Sequence, residues 1–296
     1  MAAGLEHAPL ALFTTLAPMA AASFIVLAYV FIAVRPDAEA ARRLDRWTAL
    51  PAVVMALGMG AAFLHLADPS HALYVFTGVG TSPLSNELAV TVAFAVVALA
   101  YWALALAGKL PSSGGARTVL LVVLAVGSVA QAASCGLAYA IATIPTWDGP
   151  GTVLQQLGCA WLGGAALGAA QCALAKVALP RPAVLATAGL AALGVLTALA
   201  GAALQGASLG TLANIWGPAS ALAPGLWQGA GLFAACGVAA CVLVAVAGRR
   251  GGSADASPAR AGVLSGVPAL AALAVAAVGV LAIRFAFDGL YMGVAL

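Results

Sequence analysis

The sequence predicts an all-α integral membrane protein with eight transmembrane helices and with both termini on the non-cytoplasmic side. The first supporting observation is composition: of 296 residues, 64% are hydrophobic and only 7% are charged, and the mean hydropathy is +1.08. Soluble domains carry about 25% charged residues, so a water-soluble fold of this length could not cover its surface. The second observation is the number of long apolar stretches, and the third is the distribution of basic residues between them.

Eight stretches reach the length of about 20 apolar residues that a helix needs to cross the hydrocarbon core. They form one transmembrane domain over residues 1–296 and lie at 10–34, 48–67, 87–107, 117–140, 153–177, 183–205, 225–247 and 262–285. The first stretch resembles a signal peptide, because APMAAAS looks like a cleavage site. No basic residue precedes it, and the apolar run continues through FIVLAYVFIAV, so we expect a retained helix.

The basic residues fall almost entirely on one side of the predicted membrane. Eleven of the twelve Lys and Arg residues follow the first, third, fifth and seventh spans: Arg35, Arg42, Arg43, Arg46, Lys109, Arg117, Lys176, Arg181, Arg249, Arg250 and Arg260. The alternate connections, at 68–86, 141–152 and 206–224, contain no Lys or Arg. The positive-inside rule places the basic side in the cytoplasm, which puts both termini outside.

The outward connections are the longer ones, and we expect the outer face to be the working and docking face. The connection at 141–152 carries the turn-rich segment IPTWDGPG, with Trp147 expected at the membrane interface. The connection at 206–224 has no charge and is too apolar for a freely solvated linker. The basic connections on the inner side are predicted to be plain turns.

The supply of cysteine and histidine argues against a redox centre within this chain. No CxxC motif is present, so an iron–sulfur cluster is not expected. Haem b ligated by two histidines would need histidines inside helices, whereas His7, His65 and His71 lie at or beyond span ends. We expect no metal site, and a net charge of +3 is too small to indicate nucleic-acid binding. Any electrons must leave through a cofactor in another chain.

Four ionisable residues lie close to membrane depth, where charge is costly and often functional. His65 ends the second span, Glu87 begins the third, and Arg284 and Asp288 lie at the outer end of the eighth. With this topology all four share one depth. The i, i+4 spacing places Arg284 and Asp288 on one helix face, which also suits a structural pair or a snorkelling anchor.

His65 and Glu87 each have a structural explanation beside a chemical one. In the first turn of a helix Glu87 would be favoured by the helix dipole, with Ser85 or Asn86 as the N-cap. His65 would be a polar residue at the membrane interface. The chemical alternative is oxidation of a quinol, which releases two electrons and two protons. Imidazole and a poorly solvated carboxylate both accept protons near neutral pH.

Several segments resemble the membrane-anchor subunit family of dimethyl sulfoxide reductases. They are FTTLAPMAAASFIVLA, HLADPSHA, VGTSPLSNE, IPTW and RFAFDGLYMGVA. The resemblance implies a haem-free, eight-helix subunit with both termini outside. It also implies that menaquinol is oxidised as an exchangeable substrate in the bacterial cytoplasmic membrane, during anaerobic respiration. The electrons would pass to an iron–sulfur subunit and then to a molybdopterin catalytic subunit, both docked on the outer face.

The family's quinol-site histidine and glutamate fall on His65 and Glu87, which we expect to be the catalytic residues. Ser85, Asn86 and Arg284 are further candidates for binding the quinol. The chain departs from the family in the 206–224 connection and in the cytoplasmic turns. Related anchors serve reductases for many substrates, so the terminal acceptor stays open.

The leading hypothesis is therefore a quinol-oxidising anchor within an oxidoreductase complex, without a terminal reductase centre of its own. Two alternatives remain. A secondary transporter would need broken helices and polar groups at mid-membrane, whereas the middles of these spans carry almost no charge. A passive membrane tether would have no quinol site at all.

Overall fold

The computed structural model describes residues 7–64, 69–111, 114–250 and 266–294. Within these ranges eight helices are long and apolar enough to cross a membrane, which confirms the all-α, multi-pass architecture. The strand content of the described ranges is one two-residue pair, Ala213–Asn214 with Gly217–Pro218, in the connection between the sixth and seventh spans. The side of the membrane on which the termini lie stays a prediction.

The described ranges contain nine α-helices, because a short amphipathic helix leads directly into the apolar helix of the second span. They are α1 Ala8–Tyr29, α2 Ala38–Trp47, α3 Ala49–Leu64, α4 Pro83–Leu106, α5 Gly115–Tyr139, α6 Pro150–Leu174, α7 Arg181–Leu209, α8 Ala223–Arg250 and α9 Gly266–Asp288. A π-helical turn, Val30–Val34, extends α1, and 3₁₀ segments at Pro69–Gly78 and Ala219–Leu222 precede α4 and α8. We call the end of the bundle where α4 begins the Glu87 end, and the opposite end the arginine end.

The basic connection after the first span is a helix, and the prediction of a plain turn there was wrong. Asp37 caps α2, since its Oδ1 accepts hydrogen bonds from the N–H groups of Glu39 (2.9 Å) and Ala40 (2.8 Å). These bonds, the one from Ala40 foremost, hold the pKa of Asp37 below its ordinary value. The buried face of α2 includes Leu44, while its other face carries the charges. Amphipathic segments of this kind have a low mean hydropathy and escape a search for apolar runs.

The third span begins four residues earlier than predicted, and this changes the position of Glu87. Ser82 is the N-cap, with its Oγ 3.4 Å from the Ser85 nitrogen, and Pro83 supplies a first residue whose φ is already helical. The expectation that Ser85 or Asn86 caps the helix was therefore wrong. Glu87 lies in the second turn, where the helix dipole gives a weaker reason for an acid.

The other spans agree with their predicted limits to within a few residues at most ends. The sixth span continues to Leu209 and the eighth to Asp288. Residues 65–67 and 262–265, predicted as the end of the second span and the start of the eighth, lie outside the described residues.

The helices α1 and α6 lie at the centre of the bundle and are its most buried spans. Glycines let their backbones approach: a Cβ added at Gly164 would lie 2.5 Å from the Ala22 Cβ, and one at Gly168 would lie 2.6 Å from the Val26 Cβ. The packing of α6 against α7 is equally close and is the most extensive in the molecule. By contrast, α3 and α4 contact each other little.

A buried ion pair holds the arginine end together. Arg117 of α5 donates to both carboxylate oxygens of Asp45 on α2, at 2.7 and 3.0 Å. The Tyr101 hydroxyl of α4 donates to Asp45 (3.1 Å), and the guanidinium carbon lies 4.4 Å from the centre of the Phe31 ring. Arg117 was predicted as a cation in a simple turn. Its burial requires a partner, which Asp45 supplies.

The connection between α5 and α6 packs onto the end of α9. Trp147 is buried and stacks on Phe287 with ring centres 5.1 Å apart, and its expected position at the membrane interface stays a prediction. Its Nε1 donates to the Phe287 carbonyl oxygen (3.0 Å), and the Thr146 hydroxyl donates to the Leu290 carbonyl oxygen (2.6 Å). The loop therefore holds the end of α9 in place at the Glu87 end.

Candidate functional site

A cavity of about 640 Å³ lies at the Glu87 end, where α3 and α4 diverge. Its walls come from α1, α3, α4, the 3₁₀ segment Pro69–Gly78 and the last residue of α5. The lining includes Leu10, Phe13, Met59, Gly60, Phe63, Leu73, Phe76, Leu84, Leu88 and Tyr139. Of the described residues that line it, Glu87 alone is charged.

The cavity opens onto an apolar part of the bundle surface. Two lining residues, Leu73 in the 3₁₀ segment Pro69–Gly78 and Leu84 in the first turn of α4, are 77% and 57% exposed. An apolar ligand can therefore reach the cavity from this surface. Ligand sites with mostly apolar walls and very few polar groups are typical for small organic molecules.

Glu87 is the chemical feature of this cavity. It is 1% exposed, and within the described part of the chain its Oε1 has no hydrogen-bond partner. The thiol of Cys135 on α5 lies beside the carboxyl group. A buried carboxyl oxygen without a partner is costly, unless a ligand, water or a proton satisfies it. The geometry thus leaves one oxygen available to a molecule in the cavity.

The two residues before Glu87 shape the loop at the helix start and are not among the described lining residues. The Asn86 Oδ1 accepts a hydrogen bond from the Gly80 N–H at 2.7 Å. Ser85 is buried against Gly78, where an added Cβ would lie 2.6 Å from the Ser85 Oγ. Both side chains hold the 78–82 turn against α4 and thereby fix the position of Glu87.

Arg284 lies behind the cavity wall. It is 1% exposed, and its Nε donates to the Thr14 hydroxyl of α1 at 3.0 Å. The guanidinium carbon lies 4.3 Å from the centre of the Phe287 ring and 5.4 Å from that of Tyr139. Tyr139 therefore contacts the cavity and also faces Arg284. The guanidinium is close enough to interact electrostatically with Glu87.

Asp288 follows Arg284 by one turn, and their predicted pairing is present but loose. The Arg284 Nη2 lies 4.0 Å from the Asp288 Oδ1, and both side chains are buried. The structure thus brings Glu87, Arg284 and Asp288 to the same end of the bundle, and their depth in the membrane stays a prediction. His65, the expected catalytic partner of Glu87, lies outside the described residues; the residue before it, Leu64, ends α3.

Sequence reasoning missed Tyr139 and the buried glutamines of α6. Tyr139 ends an apolar span and gave no sign that it meets both Glu87 and Arg284. Gln156 donates to the Thr14 carbonyl oxygen (2.7 Å), and so supports the same region from the opposite side. Polar residues inside apolar spans were the available signal, because their burial requires a partner.

A family model, DMSO reductase anchor subunit (DmsC), matches residues 1–250. The chain belongs to the DMSO reductase anchor subunit family. This confirms the resemblance drawn from the sequence segments. Glu87 and the cavity lie within the matched range, whereas Arg284 and Asp288 lie beyond it.

Three similar proteins are subunits of anaerobic dimethyl sulfoxide reductases. One, from Haemophilus influenzae, is 30% identical over 148 residues, which are 50% of this chain and 52% of the relative. A second, YnfH of Escherichia coli, is 32% identical over 155 residues (52% and 53%). A third, also from Escherichia coli, is 34% identical over 148 residues (50% and 51%). The aligned part thus spans about half the length of each of these relatives.

Proposed function

We propose that this chain is the membrane anchor and quinol-oxidising subunit of a molybdopterin-type, dimethyl sulfoxide reductase-like oxidoreductase in a bacterial cytoplasmic membrane. The observation that carries the proposal is the buried carboxyl group of Glu87, with an unpaired oxygen, in a mostly apolar cavity. Membership of the anchor-subunit family supports the same function.

The cavity suits the chemistry of menaquinol. The apolar walls match the ring and the isoprenoid tail, and Glu87 lies where it can accept a hydrogen bond from a quinol hydroxyl group. Oxidation converts the quinol into quinone, two electrons and two protons. Glu87 takes one proton, and His65, from the segment that follows α3, is the expected acceptor of the second. The chain itself forms no covalent bond in this reaction.

The electrons leave through a partner, an iron–sulfur subunit that passes them to a molybdopterin catalytic subunit. We place the partners on the Glu87 end, because the cavity lies there and because electron transfer needs a short distance. The turn between the two short strands presents Ile215 and Trp216 at the same end, 77% and 86% exposed. Exposed apolar side chains of this size are typical of protein contacts. Proton release on this side would not move charge across the membrane.

The two alternative functions have less support. A secondary transporter typically uses discontinuous helices around a polar site at mid-membrane. The described spans of this chain are continuous at mid-depth, and the cavity lies at one end. A passive tether would leave the unpaired Glu87 oxygen in the cavity without a purpose, at a cost to stability.

The test compares quinol oxidation by the assembled complex in wild type, Glu87→Gln and His65→Ala. The assay needs a terminal electron acceptor that the complex reduces when a soluble artificial donor supplies the electrons. Dimethyl sulfoxide is the first acceptor to try. We expect quinol oxidation to fall by about 100-fold or more in Glu87→Gln, because the proton acceptor is lost. Artificial-donor activity and co-purification of the subunits should persist. Normal quinol oxidation in both variants would overturn the proposal.

A further inference from the structure

From the wall of the Glu87 cavity, ionisable groups on α4, α5, α9 and the residue before α1 form a series in which each lies within electrostatic range of the next. Tyr139 of α5 interacts with Glu87, Arg284 and Asp288. Asp288, at the end of α9, interacts in turn with His7, which precedes α1. Glu87 and Asp288 are buried, whereas His7 is partly exposed. The groups therefore form a polar series from the cavity wall to the surface of the bundle.

Three members of this series, Glu87, Arg284 and Asp288, keep polar atoms without hydrogen-bond partners among the described residues. In the described part of the chain these buried atoms are Glu87 Oε1, Arg284 Nη2 and Asp288 Oδ2. The Oε1 of Gln156, whose amide donates to Thr14 beneath Arg284, is unpaired as well. Such atoms are uncommon in native interiors, and ordered water is a usual partner for them.

A second buried ion pair among the described residues, at the arginine end, shows what a purely structural pair looks like. Arg117 and Asp45 meet in two hydrogen bonds of 2.7 and 3.0 Å, and neither side chain retains an unpaired atom among the described residues. Arg284 and Asp288 are separated by 4.0 Å, which is too long for a direct hydrogen bond. Polar groups at such a separation can be bridged by water.

We propose that Arg284 and Asp288 form the exit route by which the proton accepted by Glu87 leaves the cavity, through bridging water and His7, for the surface at the Glu87 end. The inference rests on the proposed quinol oxidation, in which the iron–sulfur partner is the oxidant. Two electrons go to that partner and two protons are released. The one taken by Glu87 moves along this route, which restores the Glu87 carboxylate. Asp288 carries the proton, and Arg284 is a positioning residue that holds the water.

The ionisable groups that interact with Asp288 lie in three parts of the chain. Arg284 lies on its own helix, Tyr139 on α5 and His7 before α1, and Glu87 of α4 interacts in turn with Tyr139. Tyr291 faces the His7 ring, with centres 6.3 Å apart. The route thus reaches the surface between the start of α1 and the end of α9.

The test uses Asp288→Asn in the intact complex, with Asp148→Asn as the matched control. Asp148 is an exposed acid in the loop between α5 and α6 at the same end, so its replacement makes the same change in charge. We expect Asp288→Asn to lower kcat for quinol oxidation by about tenfold or more, with KM little changed, because proton transfer and not binding is impaired. The solvent deuterium isotope effect on kcat should rise. Formate, a small diffusible acid, should restore part of the rate.

A structural role would give a different pattern. Loss of quinol and artificial-donor activity together, without rescue by formate, would overturn the proposal, as would a wild-type kcat and isotope effect in Asp288→Asn. If Asp288→Asn fails to assemble, His7→Gln decides: a lower kcat with formate rescue supports the route, and an unchanged kcat overturns it.

Glu87→Gln distinguishes failure of the exit route from failure of the proposed function. If Glu87→Gln is inactive and Asp288→Asn is normal, the exit route fails and quinol oxidation stands. If Glu87→Gln oxidises quinol normally, the proposed function itself fails.

Discussion

Glu87 and Tyr139 line one cavity from neighbouring helices, and the other side of Tyr139 faces the guanidinium of Arg284 at 5.4 Å. One aromatic ring thus separates a site suited to an apolar ligand from a buried ion pair. The arrangement places one proton-accepting group, Glu87, on the wall of an apolar cavity and further ionisable groups directly behind it. An apolar ligand and the groups that accept its protons can therefore share one end of the bundle.

A large side chain in place of Gly60 should fill the cavity and block quinol binding. Gly60 lines the cavity, and a Cβ added there would meet no atom within 4 Å. Gly60→Ala should therefore be tolerated, whereas Gly60→Phe should raise KM for quinol or abolish its oxidation. Gly231→Phe on α8 is the control, because its added Cβ is equally open and the residue is remote from the cavity. Steady-state quinol oxidation measures both, and equal activity of the two Phe variants would count against the cavity.

Breaking the buried pair at the arginine end should destabilise the bundle. In Asp45→Asn the guanidinium of Arg117 loses its ionic partner while it remains buried, which costs about 3–5 kcal/mol in comparable pairs. Thermal unfolding in detergent should show a clearly lower midpoint. The exposed acid Asp148 supplies the control variant Asp148→Asn. An unchanged midpoint for Asp45→Asn would mean that the ion pair between Arg117 and Asp45 does not form in solution.

The contact between α6 and α7 should be intolerant of a single methyl group at Gly158. A Cβ added there would collide with the backbone of Gly194 and Ala198. Gly158→Ala should separate the helices and destabilise the fold by about 1–3 kcal/mol or more, as overpacking does. Gly189→Ala on α7, where the added Cβ meets nothing within 4 Å, should be neutral. The thermal unfolding midpoints of Gly158→Ala and Gly189→Ala test this prediction. Equal midpoints would contradict the close approach of α6 to α7.

The exposed hairpin turn should contribute to partner binding. Trp216 makes up much of the apolar surface there, and large aromatic residues dominate many interfaces. Trp216→Ala should weaken co-purification of the iron–sulfur subunit by about tenfold in affinity. The unfolding midpoint of the isolated chain should not change, because the side chain is exposed. Full retention of the partner would show that this turn is not part of the interface.

The sequence predicted the eight spans because hydropathy alone decides which segments enter a bilayer. It missed α2, because an amphipathic helix at a span end alternates charge with buried residues such as Leu44. It misplaced the cap of α4, since Ser85 and Asn86 are as good N-cap types as Ser82. The fixed φ of Pro83 selected the earlier residue.

The site was predictable in part. Membrane depth alone singled out Glu87, Arg284 and Asp288, and the structure brings these three together. The cavity was not predictable, because it depends on the divergence of α3 from α4. Nor did any local pattern indicate that Arg117 finds its partner in Asp45, 72 residues earlier in the chain.

The most direct test of the central claim is to locate the bound quinol. A photoreactive menaquinone analogue would be cross-linked to the membrane-embedded complex, and the labelled peptides would be mapped by mass spectrometry. We expect labels on the ends of α3 and α5, on the 3₁₀ segment and on the first turns of α4, with loss of label when unmodified menaquinone competes. Competable label confined to a separate cavity at this end, which Trp216 and Tyr291 line, would contradict a quinol site at Glu87.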